Sequence, residues 1–181
     1  MNSAPTIRDL KANEHAALGR LMVDVYSHLP GFPTPDEQPA YYELLANIGR
    51  FTEKTGARVL VAIAPESELI GGVVYFGDMA QYGSGGIATS IRDASGIRLL
   101  GVSPKHRRLG VGKALTNACL DLARRQGHAE VILHTTQPMQ IAWGLYERLG
   151  FVRSPGLDFL QQELPVFGFR LRLVQRDALN S

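Results

Sequence analysis

Residues 104–115 read PKHRRLGVGKAL, a cluster of cations that runs into two glycines and then into a helical pattern. Like charges repel, and a glycine inside a helix costs roughly 1 kcal/mol relative to alanine. A bound anion would offset both effects. The first N–H groups of a helix lack partners within it, and the helix dipole is positive there. The stretch therefore predicts an anion site at a helix start.

The side chains of this loop suit a pyrophosphate group. Gly110 and Gly112 let a ligand approach the backbone without meeting a Cβ atom. Arg107, Arg108 and Lys113 add charge-assisted donors, and arginine binds phosphate oxygens in a bidentate manner. The alternative is a solvated basic turn, which is the usual fate of a charge run.

Two common phosphate-binding motifs do not fit the loop. A Walker A motif needs GxxxxGK[ST], but Arg107 takes the place of its first glycine and Ala114 follows Lys113. A dinucleotide motif GxGxxG fails because Leu115 occupies the third glycine position. ATP and NAD are therefore disfavoured as ligands by these routes, and the pattern that remains is [QR]xxGxG.

The hydrophobic pattern around the loop predicts a mixed α/β domain. IRLLGV (97–102) reads as a strand before the loop, and the following helix stops at Gly127. A strand at 130–136 and a helix over 142–149 come next. The remaining expectations are a strand at 6–10, helices at 13–29 and 40–51, a hairpin of strands at 58–64 and 69–76, an irregular stretch at 77–96, a brief strand at 151–154, a loop at 154–166 and a final strand at 167–173.

Two motifs in the expected order resemble the GCN5-related N-acetyltransferase (GNAT) superfamily. The first is Arg107, Gly110 and Gly112 in the loop, and the second is AWGLYERLGF at 142–151. Together they cover about residues 97–152. The resemblance implies a GNAT-like acyl-CoA N-acyltransferase fold, a mixed and mostly antiparallel sheet with helices on both faces. We expect the whole chain, 1–181, to be one such domain.

The resemblance also implies a set of site residues, with acetyl-CoA as co-substrate and no metal. The strand end would hold the pantetheine arm through its main chain, and the loop amides would bind the pyrophosphate. The phenol of Tyr146 would protonate the departing thiolate, although by pattern alone Tyr146 also fits a core position. The expected binding residues are Leu100, Gly101, Val102, Arg107, Arg108, Leu109, Gly110, Val111, Gly112 and Lys113.

The sequence gives little sign of a general base. Where relatives often carry a glutamate on the 97–102 strand, this chain has Arg98, so a water chain is one route for the proton. Asp93 lies nearby. His134 has a suitable ordinary pKa, but a histidine in a mostly apolar strand is more often a structural residue. Met139 stands where many relatives have an asparagine that contacts CoA.

Residues that would choose the acceptor amine lie in the less regular segments. Aromatic residues there could line a pocket, and acidic residues could attract a cationic amine. For any one of these residues, simple packing or solvation is the favoured explanation. The aromatic candidates are Tyr26, Phe32, Tyr41, Tyr42 and Tyr82, and the acidic ones are Asp36, Glu37 and Asp78.

Composition narrows the function classes. Charges are balanced, with 19 Lys and Arg against 17 Asp and Glu, which argues against an RNA-binding module. No apolar run is long enough for a membrane span, the N-terminus lacks a signal-peptide pattern, and the histidines have no metal-ligand spacing. The single Cys119 has no partner for an internal disulfide and fits the core. We therefore expect a cytoplasmic protein without nucleic-acid or membrane partners.

The favoured function is N-acetyl transfer from acetyl-CoA to a primary amine of a small molecule. A protein or peptide amine is the nearest alternative. A non-catalytic acyl-CoA binding or sensing domain is the rival from another class. A homodimer is possible through the exposed edge of the terminal strand FGFRLRLV (167–174).

Overall fold

The computed structural model describes residues 3–174, which form eight strands and four α-helices joined by loops and short 3₁₀ turns. The strands are β1 (Thr6–Asp9), β2 (Ala57–Ile63), β3 (Leu69–Phe76), β4 (Ala94–Val102), β5 (Glu130–Thr135), β6 (Val152–Arg153), β7 (Phe159–Gln161) and β8 (Leu164–Arg172). The helices are α1 (His15–Ser27), α2 (Pro39–Ala46), α3 (Val111–Arg125) and α4 (Gln140–Arg148).

The strands form one sheet in the order β1-β2-β3-β4-β5-β8-β6, and β7 pairs with β8. Only β4 and β5 run parallel among these pairs, and all the others are antiparallel. A parallel pair needs a long crossover connection, and α3 provides it. The expected mixed, mostly antiparallel sheet is confirmed. No helix between residues 3 and 174 is long and apolar enough to cross a membrane.

Each face of the sheet carries its own hydrophobic cluster. On one face, Leu18 and Met22 of α1 pack with residues of α2 and with Val74 of β3. On the other face, Leu115 of α3 packs with its neighbours from α4 and with Val73 of β3. Adjacent residues of one strand point to opposite faces, so Val73 and Val74 serve different clusters. Helices therefore cover both faces, as expected.

Two neighbouring strands part at the middle of the sheet. The pairing of β4 with β5 runs only from Ala94 opposite Glu130 to Ile97 opposite Leu133. Just beyond, the register between β3 and β4 shifts. Two residues of β4, Leu99 and Leu100, lie opposite a single residue of β3, Val73. The extra residue is a β-bulge at Leu99, whose φ of 58° is left-handed. The last residues of β4 therefore lie beside a gap in the sheet.

The C-terminal part differs from the sequence prediction. The expected loop at 154–166 contains a 3₁₀ turn, Pro155–Leu157, and the strand β7, and β8 begins at Leu164 rather than at 167. The strand expected as a free edge is covered instead. β5 pairs along one edge of β8, and β6 and β7 take up parts of the other edge. The exposed edge that suggested a homodimer is thus largely occupied by the chain itself.

Candidate active site

The bulge in β4 changes which way its side chains point. Residues two apart on a regular strand share a face, but Ile97 packs in the cluster on the α3 face and Leu99 in the cluster on the α1 face. Leu100 and Val102 return to the α3 face. A left-handed conformation at a residue other than glycine costs about 1–3 kcal/mol and tends to occur at functional sites. Burial of Leu99 helps to offset that cost.

Beyond the bulge, the backbone groups of successive β4 residues point alternately towards β3 and towards the gap. The amide of Ser103 donates to the carbonyl of Ile70 on β3 at 2.8 Å. Because successive residues of a strand direct their backbone groups to opposite edges, Gly101 also faces β3, where it pairs with Gly72. Leu100 and Val102 then face the side from which β5 has diverged. Of the three strand residues predicted to bind an acyl arm, Leu100 and Val102 therefore have backbone groups that point into the gap.

Helix α1 reaches across to the same strand. The hydroxyl of Tyr26 donates to the carbonyl oxygen of Leu100 at 2.8 Å, so this carbonyl already has a partner. Gly101 has a packing role, because a Cβ atom there would lie 2.5 Å from Sδ of Met22. The predicted contribution of Gly101 to ligand binding is therefore corrected: its backbone belongs to the ladder with β3 and its Cα packs on α1.

The predicted anion loop is arranged around the first turn of α3. Arg108 and Gly110 both have positive φ, at 64° and 76°, and the helix begins at Val111 with Gly110 as its N-cap. The first hydrogen bond inside the helix runs from the amide of Ala114 to the carbonyl of Gly110 at 2.9 Å. The amides before Ala114 have no acceptor within the helix. Arg107, Arg108, Leu109 and Lys113 are exposed around this helix start.

Gly112 keeps the space between the loop and the gap open. A Cβ atom on Gly112 would lie 3.3 Å from Cδ2 of Leu145 on α4 and 3.8 Å from Cγ2 of Val102 on β4. A larger side chain would therefore enter the space between α3, α4 and the end of β4. The fit supports a long, narrow ligand with an anionic end, which would run from the helix start towards Leu100.

A cavity of about 80 Å³ lies in the gap between β4 and β5. It takes residues from both faces of the sheet: Tyr26 comes from α1, and Tyr146 from α4. The wall includes Thr136, whose buried hydroxyl oxygen has no hydrogen-bond partner in residues 3–174 and was not expected from sequence. The other lining residues are Phe32, Tyr41, Tyr82, Ser84, Ile97, Arg98, Leu99, Leu100, His134, Thr135, Met139, Ala142, Phe159, Gln161 and Val166.

Most of the aromatic residues predicted for a pocket wall lie in this wall. Tyr82 comes from the irregular stretch at 77–96, which thus contributes to the cavity wall. Tyr42 does not line the cavity, because it is buried elsewhere and donates to the carbonyl of Pro33 at 2.6 Å. Met139 does line it, next to Thr135.

Tyr146 is buried in the α3-face cluster and opens onto the cavity. Its ring packs edge-on against Phe151, with 5.8 Å between the ring centroids, and only 5% of the residue is exposed. Burial, followed by the nearby phenol of Tyr82, raises the pKa of Tyr146 above its usual range. The phenol therefore keeps its proton at neutral pH, which is the state that a proton donor requires.

The predicted general base His134 is excluded by its hydrogen bonds. Tyr82 donates to Nδ1 at 2.8 Å, and Nε2 lies 2.9 Å from the carbonyl of Leu157, which only an N–H can satisfy. Burial lowers the pKa of His134 below its ordinary value, although the Leu157 carbonyl opposes this. His134 is thus a neutral residue that joins β5 to the segments on either side, and neither nitrogen is free to take a proton.

The acidic candidates also lie outside the cavity. Asp78 caps the 3₁₀ turn at Met79–Gln81, and Glu37 accepts the amide of Thr34 at 2.7 Å. Asp93 accepts the amide of Ala129 at 3.2 Å, and Asp36 is exposed. The expectation that Asp36, Glu37 or Asp78 attracts a cationic amine is therefore wrong for this cavity, whose lining contains no carboxylate among residues 3–174.

The remaining candidates for chemistry are Cys119 and the side chains that could bind a metal ion. Cys119 is fully buried, and burial raises the pKa of its thiol, so it belongs to the core as expected. Across the part of the chain that the structure describes, no group of His, Cys, Asp and Glu side chains is placed to hold a metal ion.

Comparison with known proteins agrees with this geometry. The model of the acetyltransferase (GNAT) family matches residues 22–151, more than two thirds of the chain. The chain is 44% identical to human N-acetyltransferase 8B over 55 residues, which are 30% of this chain and 24% of that protein. The match thus spans about a quarter of the curated relative's length.

Solved structures extend the likeness to the whole fold. The PaiA N-acetyltransferase of Thermoplasma acidophilum, solved in complex with coenzyme A, matches with a TM-score of 0.70 and 16% identity over 92% of this chain and 98% of that one. YncA of Salmonella typhimurium, solved with its cofactor acetyl-CoA, gives 0.62 and 21% over 99% of both chains. Identities this low show a shared fold.

We expect His134 to stay neutral in the folded protein until the pH falls below 6.5. Its native pKa is lowered, so the unfolded state binds the proton first as the pH falls, and His134 reduces stability below pH 6.5. ¹⁵N NMR of the imidazole nitrogens across pH 5–8 checks this expectation. The spectrum should show an Nε2–H tautomer, and a titration midpoint at 6.5 or above would contradict it.

Proposed function

This chain belongs to the acetyltransferase (GNAT) family, and on that premise we propose that it transfers the acetyl group of acetyl-CoA to a primary amine of a small molecule. The observation that carries the proposal is the alignment of three features along one path. The helix start at Gly110 is followed by the space beside Gly112, and that space leads to the backbone of Leu100 and the phenol of Tyr146.

The anion loop would hold the pyrophosphate of acetyl-CoA. The free amides at the start of α3 and the positive end of its dipole attract phosphate oxygens. Arg107 and Arg108 are exposed and free to reach the same oxygens. In the gap, the backbone groups of Val102 and the amide of Leu100 would form hydrogen bonds with the pantetheine amides and the thioester. The ligand would thus take the place that β5 would occupy if the two strands stayed paired.

Acetyl transfer would then use a short list of groups. The acceptor nitrogen attacks the thioester carbonyl, a C–N bond forms and the C–S bond breaks. The amide of Leu100 stabilises the negative charge that develops on the carbonyl oxygen. Tyr146 donates its proton to the departing sulfur and regains one from the attacking nitrogen, which loses its second proton as it becomes the amide. Placing both reactants in one cavity supplies a large part of the acceleration.

The acceptor amine must lose a proton before it attacks. The lining of the cavity offers no carboxylate among the described residues, and His134 is committed to structural hydrogen bonds. We infer that transfer from water into this cavity, next to the cation of Arg98, lowers the pKa of the amine itself, so that its proton passes to water. This route keeps the water chain that the sequence suggested.

The cavity accommodates a small amine, which is the acceptor that we favour. About 80 Å³ lies between the aromatic residues of α1, α4 and the 82–84 segment. A protein or peptide amine remains the second candidate for the same chemistry. A purely sensory acyl-CoA domain is less favoured, because the phenol of Tyr146 lies in the cavity wall, where acetyl transfer would need a proton donor.

Binding of acetyl-CoA should depend on the loop at 104–115. We expect isothermal titration calorimetry to show binding by the parent protein and at least a tenfold loss for the Arg107→Ala, Gly110→Ala double variant, since charged donors and the left-handed N-cap are both removed. Arg125→Ala, at the other end of α3, is the matched control and should bind as the parent does. A well-folded parent that binds no acetyl-CoA would contradict the proposal.

The hydroxyl of Tyr146 should matter for turnover and little for binding. We expect Tyr146→Phe to lower kcat by roughly a hundredfold or more, because the thiolate loses its proton donor. The affinity for acetyl-CoA should change by less than about threefold. Tyr42→Phe removes a hydroxyl outside the cavity and serves as the control. Unchanged turnover in Tyr146→Phe would make Tyr146 a core residue only.

A further inference from the structure

Arg98 differs from the other arginines of comparable burial. Among residues 3–174, four arginines are half-buried, and three of them form ion pairs with carboxylates at 2.7–2.8 Å. Arg98 pairs with no carboxylate in that part of the chain. The three pairs are Arg8 with Glu14, Arg153 with Asp158 and Arg170 with Glu130.

Regular alternation along β4, before its bulge, places Arg98 at the cavity. Ile97 points to the α3 face, so the next residue, Arg98, points to the α1 face, where its guanidinium lines the cavity. One of its nitrogens, Nη1, donates to the carbonyl of Tyr82 at 2.9 Å, and the guanidinium carbon lies 5.8 Å from the centre of the Tyr82 ring. These two contacts fix the cation against the 82–84 segment.

The charge of Arg98 affects the pKa of three tyrosines that line the cavity. Burial raises the pKa of Tyr41 to about 12, and the positive charge of Arg98 opposes that rise. The same charge opposes the raised pKa of Tyr26 and of Tyr82. Because all three phenols stay neutral, none of them provides a counter-charge. The cavity thus holds one cation and no anion from residues 3–174.

A guanidinium in this setting suits a carboxylate. Partial burial of a charge without a partner is unfavourable, and an incoming anion would relieve that cost. Arginine has five N–H donors in a planar fork that matches the two oxygens of a carboxylate. Only one of those donors is used by a residue in the described part of the chain, in the bond to Tyr82. The others are available to a ligand.

We propose that Arg98 binds a carboxylate of the acceptor, so that the acceptor is an amino-acid-type molecule with an apolar side chain. The aromatic wall formed with Phe32 and Phe159 accommodates the apolar part. This inference rests on the proposed function and names its substrate class. Arg98 also disfavours a protonated amine beside it, which agrees with a cavity that lacks a base. Polyamines and lysine side chains within proteins lack the required carboxylate.

Matched acceptors test the inference directly. Acetyl-CoA-dependent release of CoA is measured with L-leucine, L-leucinamide and 3-methylbutylamine, and again with L-phenylalanine, its amide and 2-phenylethylamine. Within each set the side chain is constant, and only the carboxylate is neutralised or removed. We expect kcat/KM to be roughly 10- to 100-fold higher for at least one amino acid than for its amide and amine.

Variants of Arg98 assign the preference to this side chain. In Arg98→Met the ratio of kcat/KM between amino acid and amine should fall towards one, whereas Arg98→Lys should keep part of it because the charge remains. Arg92→Met, an exposed arginine before β4, should leave the ratio unchanged. The ratio is the decisive quantity, since general damage to the fold lowers both rates together. Affinity for acetyl-CoA serves as the folding control.

The outcomes separate this inference from the proposed function. Equal rates for amino acids and for their amines, or a ratio that survives in Arg98→Met, would overturn the role of Arg98 while acetyl transfer itself stands. If the protein binds acetyl-CoA but acetylates none of the six compounds, the amino-acid acceptor class is overturned and other amines remain open. Failure to bind acetyl-CoA at all would overturn both.

Discussion

The extra residue in β4 is the constraint on which the candidate site depends. A regular β4 would continue its ladders with β3 and β5, and its last backbone groups would be hydrogen-bonded within the sheet. The bulge at Leu99 keeps the ladder with β3 in a shifted register but turns the strand away from β5. One left-handed residue thereby opens the gap and leaves Leu100 and Val102 facing it.

Helices α1, α3 and α4, which are far apart in the sequence, all contribute residues around that gap. Tyr26 of α1 holds the carbonyl of Leu100 over a separation of 74 residues, which fixes the bulged strand from one face. Tyr146 of α4 closes the cavity from the other face. The start of α3 lies beside the end of β4, and a Cβ atom on Gly112 would come within 3.8 Å of Val102. The site therefore combines polar backbone groups of β4 with aromatic side chains, and Arg98 supplies the charge.

The sequence predicted the features that depend on local patterns. The glycine-rich helix start, the helix at 111–125 and the β2–β3 hairpin follow from periodicity and turn residues, which act over a few positions. The bulge leaves no such trace, because leucine has no preference for a left-handed conformation. Because the bulge could not be predicted, neither could the exclusion of Gly101 from the site. The roles of His134 and of the acidic residues depend on partners from other segments or on loop conformation, which pattern does not reveal.

Amide hydrogen exchange, measured residue by residue by NMR with and without acetyl-CoA, tests the central claim most directly. The account predicts that acetyl-CoA slows exchange at Leu100 and Val102, whose amides face the gap, and leaves Gly101 unchanged because its amide is already bonded to β3. Unchanged exchange at both Leu100 and Val102 in a protein that binds acetyl-CoA would contradict it. So would an equal slowing at Gly101, which would mean that the strand does not alternate as the bulge requires.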